Sequence, residues 1–240
     1  MKYIPLKYIK EDPGVGAADD STDAAEETGK LKRLVAGVRE ELDALSPDAA
    51  PLRRADLLLQ LGRALVRLEQ GAEAWAAARE AFDLYMAEQA REGAAQACDI
   101  LFLAEQPQSL AALGMGIWLA VTYPVDPELS VALLQHVVEE TPPDADGAAV
   151  AAVTAHYLVD LRARDPQREH LLLYTNQVLA TVARRHSGVD GQEAFNKWIE
   201  DMELNDPALF LPRLRNVVDV LVQDDWWFDR DALQAALPAQ

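Results

Sequence analysis

The chain has 240 residues, 50% of them hydrophobic and 26% charged, with a formal net charge of −18 and a mean hydropathy of −0.10. Such a composition fills a globular core, and its acidity excludes nucleic acid as a partner, because phosphate binding needs clustered Lys and Arg. Cys98 is the single cysteine, which excludes an internal disulfide; with no apolar run clean enough to cross a bilayer and no secretory leader pattern, the expected place is the cytoplasm, without a membrane partner.

The first ten residues, MKYIPLKYIK, contain Lys-Tyr-Ile twice, and Pro5 keeps them out of a helix interior. They read as an extended, basic, aromatic arm. It is either a strand-like tail on its own domain or a recognition segment for a partner or a second subunit, with Tyr3 and Tyr8 as its contacts. Glu11 to Gly29 holds seven acids and no base. It reads as a disordered linker, so residues 1–29 are set apart from a single helical domain over 30–240.

From Lys30 the apolar residues recur at helical spacing: Leu31, Leu34, Val35, Val38, Leu42 and Leu45 form one stripe, ended by Ser46-Pro47. Further helices are expected over about Leu52–Leu68, Ala72–Gln89, Gly93–Ala104 and Ser109–Thr122. Asp126-Pro127 caps a sixth, which ends at Thr141-Pro142-Pro143. A seventh, rich in alanine, runs from after Asp146 to about Ala163. Asp165-Pro166 opens an eighth, closed by Ser187-Gly188, and a ninth covers about Gln192–Glu203. Asp206-Pro207 starts a tenth, with Pro212 as a kink or late restart. The valine run Val217 to Val222 is its end, although its composition would also suit a strand. Asp229 caps a last short helix over Asp231–Leu237. The chain is therefore all-α, with about eleven helices.

The central stretch, Leu57 to Tyr85, reads as two amphipathic helices joined at Gln70-Gly71. Within it, Leu58-x2-Leu61-Gly62-x2-Leu65 is followed by Ala74 and Ala81. Leu110-x2-Leu113-Gly114-x2-Ile117 repeats the first pattern 52 residues later, and Pro142 closes the next helix. In these residues the span 52–161 resembles the tetratricopeptide repeat (TPR) family, whose helix hairpins recur about every 34 residues. The resemblance implies a TPR-like, α-solenoid-like stack with a further helical part over 162–240, and an extended surface for protein or peptide segments. The longer period departs from the family and calls for an extra helix or an irregular hairpin.

No His-Glu-x-x-His, phosphate-binding glycine loop or Gly-x-Ser-x-Gly is present, so neither a catalytic residue nor a cofactor is expected. His136 with Glu139 or Glu140, and His156 with Asp160, share helix faces as surface pairs or as ligands of a metal. From Glu92 to Leu161 there are ten acids and no Lys or Arg. That span is either a solubilising face or a docking surface for a basic segment. Three successive aromatics on a helix, Trp226, Trp227 and Phe228, cannot all face one core. They form a plug over the last hydrophobic surface or an exposed partner contact.

The expected function is that of a non-enzymatic protein-binding adaptor or scaffold. The alternative is a chaperone or assembly factor that holds a client through the acidic face, and a third reading is a metal-dependent enzyme. The partner is a protein or peptide of basic character. Candidate contacts are Tyr3, Tyr8, Trp226, Trp227, Phe228, Glu139 and Glu140. The arm is expected to support a homo-oligomer or to occlude a partner site, with the basic-free span as its groove.

Overall fold

The computed structural model describes residues 21–46 and 50–237, which form eleven α-helices and no strand among them. These are α1 (Ser21–Asp43), α2 (Pro51–Arg67), α3 (Gly71–Ala87), α4 (Arg91–Leu103), α5 (Ser109–Thr122), α6 (Pro127–Glu140), α7 (Gly147–Arg162), α8 (Gln167–Ser187), α9 (Gln192–Asp201), α10 (Pro207–Val222) and α11 (Arg230–Ala235). Tyr3, Tyr8 and the rest of the arm lie outside the described residues.

Local chemistry explains most of the boundaries. Asp126, Asp206 and Asp229 each accept a backbone N–H from the first turn that follows, at 2.8 to 2.9 Å. A side chain there satisfies a donor that the helix cannot. The hairpin ends share another device. Glu69, Gln89, Glu105 and Glu203 adopt left-handed φ of 53 to 58°. After three of them the next N–H reaches back five residues, Gln70 to Leu65, Ala90 to Tyr85 and Leu204 to Ile199, at 2.8 to 2.9 Å. This closure caps the last carbonyls and turns the chain sharply.

Two elements differ from the sequence reading. α1 begins at Ser21, so residues 21–29, expected as linker, are its first turns. Glu26 pairs with Lys30 at i,i+4 spacing, 2.8 Å apart, and Glu27 pairs with Arg67 of α2; acids near a helix N-terminus also favour the macrodipole. Pro212 lies within α10 without restarting it. The carbonyl that loses its donor is that of Ala208, an exposed residue that water can serve. The valines end α10 as helix: Val218 and Val222 are buried while Val220, between them, is 71% exposed.

Consecutive helices from α1 to α8 pack side by side, and α2, α4, α6 and α8 also touch along their own row. The odd helices α5 and α7 are bridged by α10, which packs on both. Helices of one row run the same way, so their C-terminal carbonyls gather at one edge, and arginines from the next hairpin serve them. Arg162, ending α7, donates to the Ala120 and Val121 carbonyls of α5 at 2.6 and 2.8 Å. Arg185, near the end of α8, donates to Val138 of α6 at 2.5 Å. A cation at a helix C-terminus is favoured by the dipole as well as by the hydrogen bonds.

Both singled-out glycines sit at helix contacts. A Cβ on Gly62 would stand 3.1 Å from Ile100 Cγ2, and one on Gly114 would stand 2.5 Å from Val222 Cγ2. The contacts are not equivalent. Gly62 is on α2 in the even row, whereas Gly114 is on α5 in the odd row, facing α10. The spacing of 52 residues spans three helices, an odd number, so the two matched segments occupy opposite rows and are not successive copies of one position.

Gly62→Leu and Gly114→Leu are each expected to destabilise the fold by about 1–3 kcal/mol through overpacking. Thermal melts of the two variants check this, and unchanged melting in both would show that neither contact is tight.

Candidate partner-binding cleft

The even row carries a cleft of about 620 Å³ between α4, α6 and α8. α4 contributes Asp99, Phe102 and Leu103, which recur at the spacing of one helix face. α6 contributes Ala132, Gln135, His136, Glu139 and Glu140 on the same principle, and α8 adds Tyr174. The turn from α4 into α5 closes one end with Glu105, Ser109 and Leu110. Ser109 holds that turn: its hydroxyl accepts the Gln106 N–H at 2.8 Å and donates to the Leu101 carbonyl at 2.9 Å.

The floor is polar and fully engaged. His136 Nε2 donates to Asp99 Oδ1 at 3.0 Å, across 37 residues of sequence, and Nδ1 lies 3.9 Å from Glu139 Oε2. Phe102 packs against the imidazole, tilted by 39°, with 4.5 Å between ring centres. Burial opposes a charge on His136, but the hydrogen bonds to Asp99 and Glu139 outweigh it and raise the ring to about 9. The bond to His136, aided by the Gln135 amide at 2.9 Å, holds the Glu139 carboxyl below its ordinary value. Burial, with the Glu139 charge beside it, pushes the Tyr174 phenol up to about 12.

The rim differs in character. Glu105, Glu139 and Glu140 are exposed, and no Lys or Arg among the described residues lines the cleft. Leu103 and Leu110 stand beside these carboxylates at 37% and 50% exposure. With Asp99 the cleft has four carboxylates against one imidazolium, so it attracts cations while offering apolar surface between them.

The other histidine pair expected from spacing does not form. His156 Nδ1 meets the Thr175 hydroxyl at 2.9 Å, and Asp160 pairs instead with Arg168. The bulk of α8 covers His156, and burial lowers its basicity. Among the described residues no group of three or more His, Cys, Asp or Glu is placed to hold a metal ion. Cys98 is fully buried against α5, with Gly116 leaving room for its Cβ, and burial pushes its thiol up.

The aromatic triplet is not on a helix. It occupies the stretch between α10 and α11, whose non-helical, bent path lets all three rings meet the odd row. Trp227 stands edge-on to Trp75 at 6.0 Å and to Phe82 at 5.3 Å, both on α3, with the Arg79 guanidinium 4.3 Å over its ring. Phe228 packs on Trp118 of α5 at 5.4 Å, and Trp226 lies between Trp118 and Arg230. α10 and this triplet form one strap across α7, α5 and α3.

Compared with protein-family models, with curated proteins and with solved structures, the chain gives no match. Its reading therefore rests on the cleft and the strap themselves. No helix among the described residues is long and apolar enough to cross a membrane.

The sequence indicated Glu139 and Glu140 through the basic-free span but gave no sign of the Asp99–His136 bond, which joins different helices. Tyr174 was also invisible, since it comes from α8, beyond that span.

Two substitutions test these arrangements. Trp227→Ala is expected to cost about 2–3 kcal/mol, because the ring is half-buried in an aromatic cluster with a stacked cation. A change within about 0.5 kcal/mol in chemical denaturation would mark it as a surface residue. His136→Gln is expected to cost about 2–3 kcal/mol at neutral pH. The folded-state value lies above the ordinary 6.5. The stabilisation from the charged ring is thus fully present below that value and lost as pH rises through about 9. Stability curves of parent and variant should converge toward alkaline pH, and a constant difference from acid to alkali would show a ring that stays neutral.

Proposed function

We propose that this protein is a non-enzymatic adaptor that holds a basic peptide segment of a partner protein in the α4–α6–α8 cleft. The observation that carries this reading is the pairing of four carboxylates with exposed leucines and, among the described residues, no lining Lys or Arg. Lysine or arginine heads meet Glu105, Glu139 and Glu140, while the apolar residues between them cover Leu103 and Leu110. Charge complementarity of this kind speeds encounter and rejects acidic segments, and apolar burial supplies most of the affinity. A TPR-like stack of hairpins suits the role by analogy, since such stacks present extended surfaces for segments of other proteins. The engaged floor suits it too: Asp99 and His136 are already satisfied, so an incoming cation addresses the rim.

The test uses arrays of ten-residue peptides that carry several lysines interleaved with Leu, Ile or Tyr, and matched arrays with glutamate in place of lysine. The protein is expected to retain the lysine series only, with affinity falling as salt rises. The exposed rim substitutions Glu105→Lys and Glu140→Lys together should weaken binding roughly tenfold or more, equivalent to about 1.4 kcal/mol, while leaving the melting temperature in place. Equal retention of both series, or no effect of the double substitution, would exclude the cleft as the site.

A further inference from the structure

We infer that residues 1–10 of this chain occupy the α4–α6–α8 cleft of the same molecule and compete there with an outside peptide. This rests on the reading of the cleft as a site for basic segments. It adds the identity of one occupant and makes the site self-regulated.

Three observations lead to it. The first is complementarity. The segment MKYIPLKYIK has Lys2, Lys7 and Lys10, no acid, and six large apolar or aromatic residues between Tyr3 and Ile9 if Pro5 is included. The cleft has the opposite balance, with carboxylates at the rim and leucines beside them. Among the described residues α4, α5 and α6 carry one Lys or Arg only, Arg91, and it is engaged elsewhere: its guanidinium donates to the Met86 carbonyl at 3.1 Å and lies over Tyr123.

The second is where the chain enters the fold. Glu27, near the start of α1, pairs with Arg67 at the C-terminal end of α2. Gly71, just beyond that end, is so close to the Ala104 carbonyl that a Cβ would clash with it, so the C-terminal end of α4 lies at the same edge. α6 runs parallel to α4, which brings Glu139 and Glu140 to that edge as well. The first residues of α1 therefore emerge at the edge that carries the rim carboxylates Glu105, Glu139 and Glu140.

The third is reach. The furrow between α4 and α6 lies two to three helix spacings from α1, and at 8–10 Å per spacing this is roughly 20–30 Å. Residues 11–20 span at most about 33–36 Å when extended. Ten flexible residues have an r.m.s. length of roughly 16–19 Å, so they reach that distance short of full extension and give an effective concentration up to the millimolar range, far above that of any free peptide. In cis the arm then wins against an outside segment of equal affinity, and only a tighter or locally concentrated partner displaces it.

The experiment uses the full chain and, as probe, a fluorescently labelled synthetic peptide of residues 1–10. Three forms are compared: the parent, a form with Lys2→Glu, Lys7→Glu and Lys10→Glu, and that form with Glu105→Lys and Glu140→Lys added. The arm-reversed form should bind the probe at least roughly tenfold more tightly than the parent, as expected for removal of a tethered competitor. The added rim reversals should abolish the gain. Equal binding by parent and arm-reversed form would overturn the inference while leaving the cleft a peptide site. No binding by any form would overturn both.

A second measurement decides between one molecule and two. In a Tyr3→Cys, Leu110→Cys form, mild oxidation should give a cross-link at the mass of one chain, with the buried Cys98 left reduced. A cross-link at twice that mass would place the arm in a second copy and overturn occupancy in cis.

Discussion

Gly114 presents α10 with bare backbone. Val222, Leu221 and the Val218 carbonyl all come within 2.5 to 3.3 Å of where a side chain would begin. That approach seats α10 between α5 and α7. The rest of the C-terminal part follows from it. α10 ends where the aromatic triplet can reach Trp118 and then Phe82, and Asp219 on its last turns holds Arg230 at 2.5 Å, which in turn covers Trp226. At the other end of the helix Arg213 bonds the Met202 carbonyl at 2.6 Å and Asp146 at 2.9 Å, tying the return of α9 to the start of α7. One residue without a side chain thus fixes a strap that spans three helices.

The distribution of arginine explains the character of the opposite face. α5 and α6 have no Lys or Arg of their own, yet their C-terminal carbonyls need donors. Arg162 and Arg185 supply these from the following hairpin, and neither lines the cleft. His136 is the one cationic group that remains at the floor, and Asp99 and Glu139 engage it. The negative rim is what is left once the structural demand for cations has been met.

Much of the fold was legible because its signals are local. Asp-Pro pairs start α6 and α10, Ser109 to Thr122 has the expected limits, and the valines of α10 follow the helical context instead of their own strand preference. What escaped has a common cause. The extension of α1 depends on Glu27 meeting Arg67, the bond from Asp99 to His136 crosses helices, and the aromatic triplet packs only because the chain leaves helical geometry after Gln223, where φ is 52°. Each depends on residues distant in sequence. The glycine pattern misled in the opposite way: Gly62 and Gly114 do share a physical role, close helix approach, but a role can recur on different rows without a structural repeat.

The strap and the cleft lie on opposite sides of one stack of helices. Even helices touch along their row, whereas α10 stands between α5 and α7 like a keystone. The two sides of the stack are therefore held by different means: the even row by direct contact between its own helices, the odd row by a helix wedged between two of its members, whose seat is the bare backbone of Gly114.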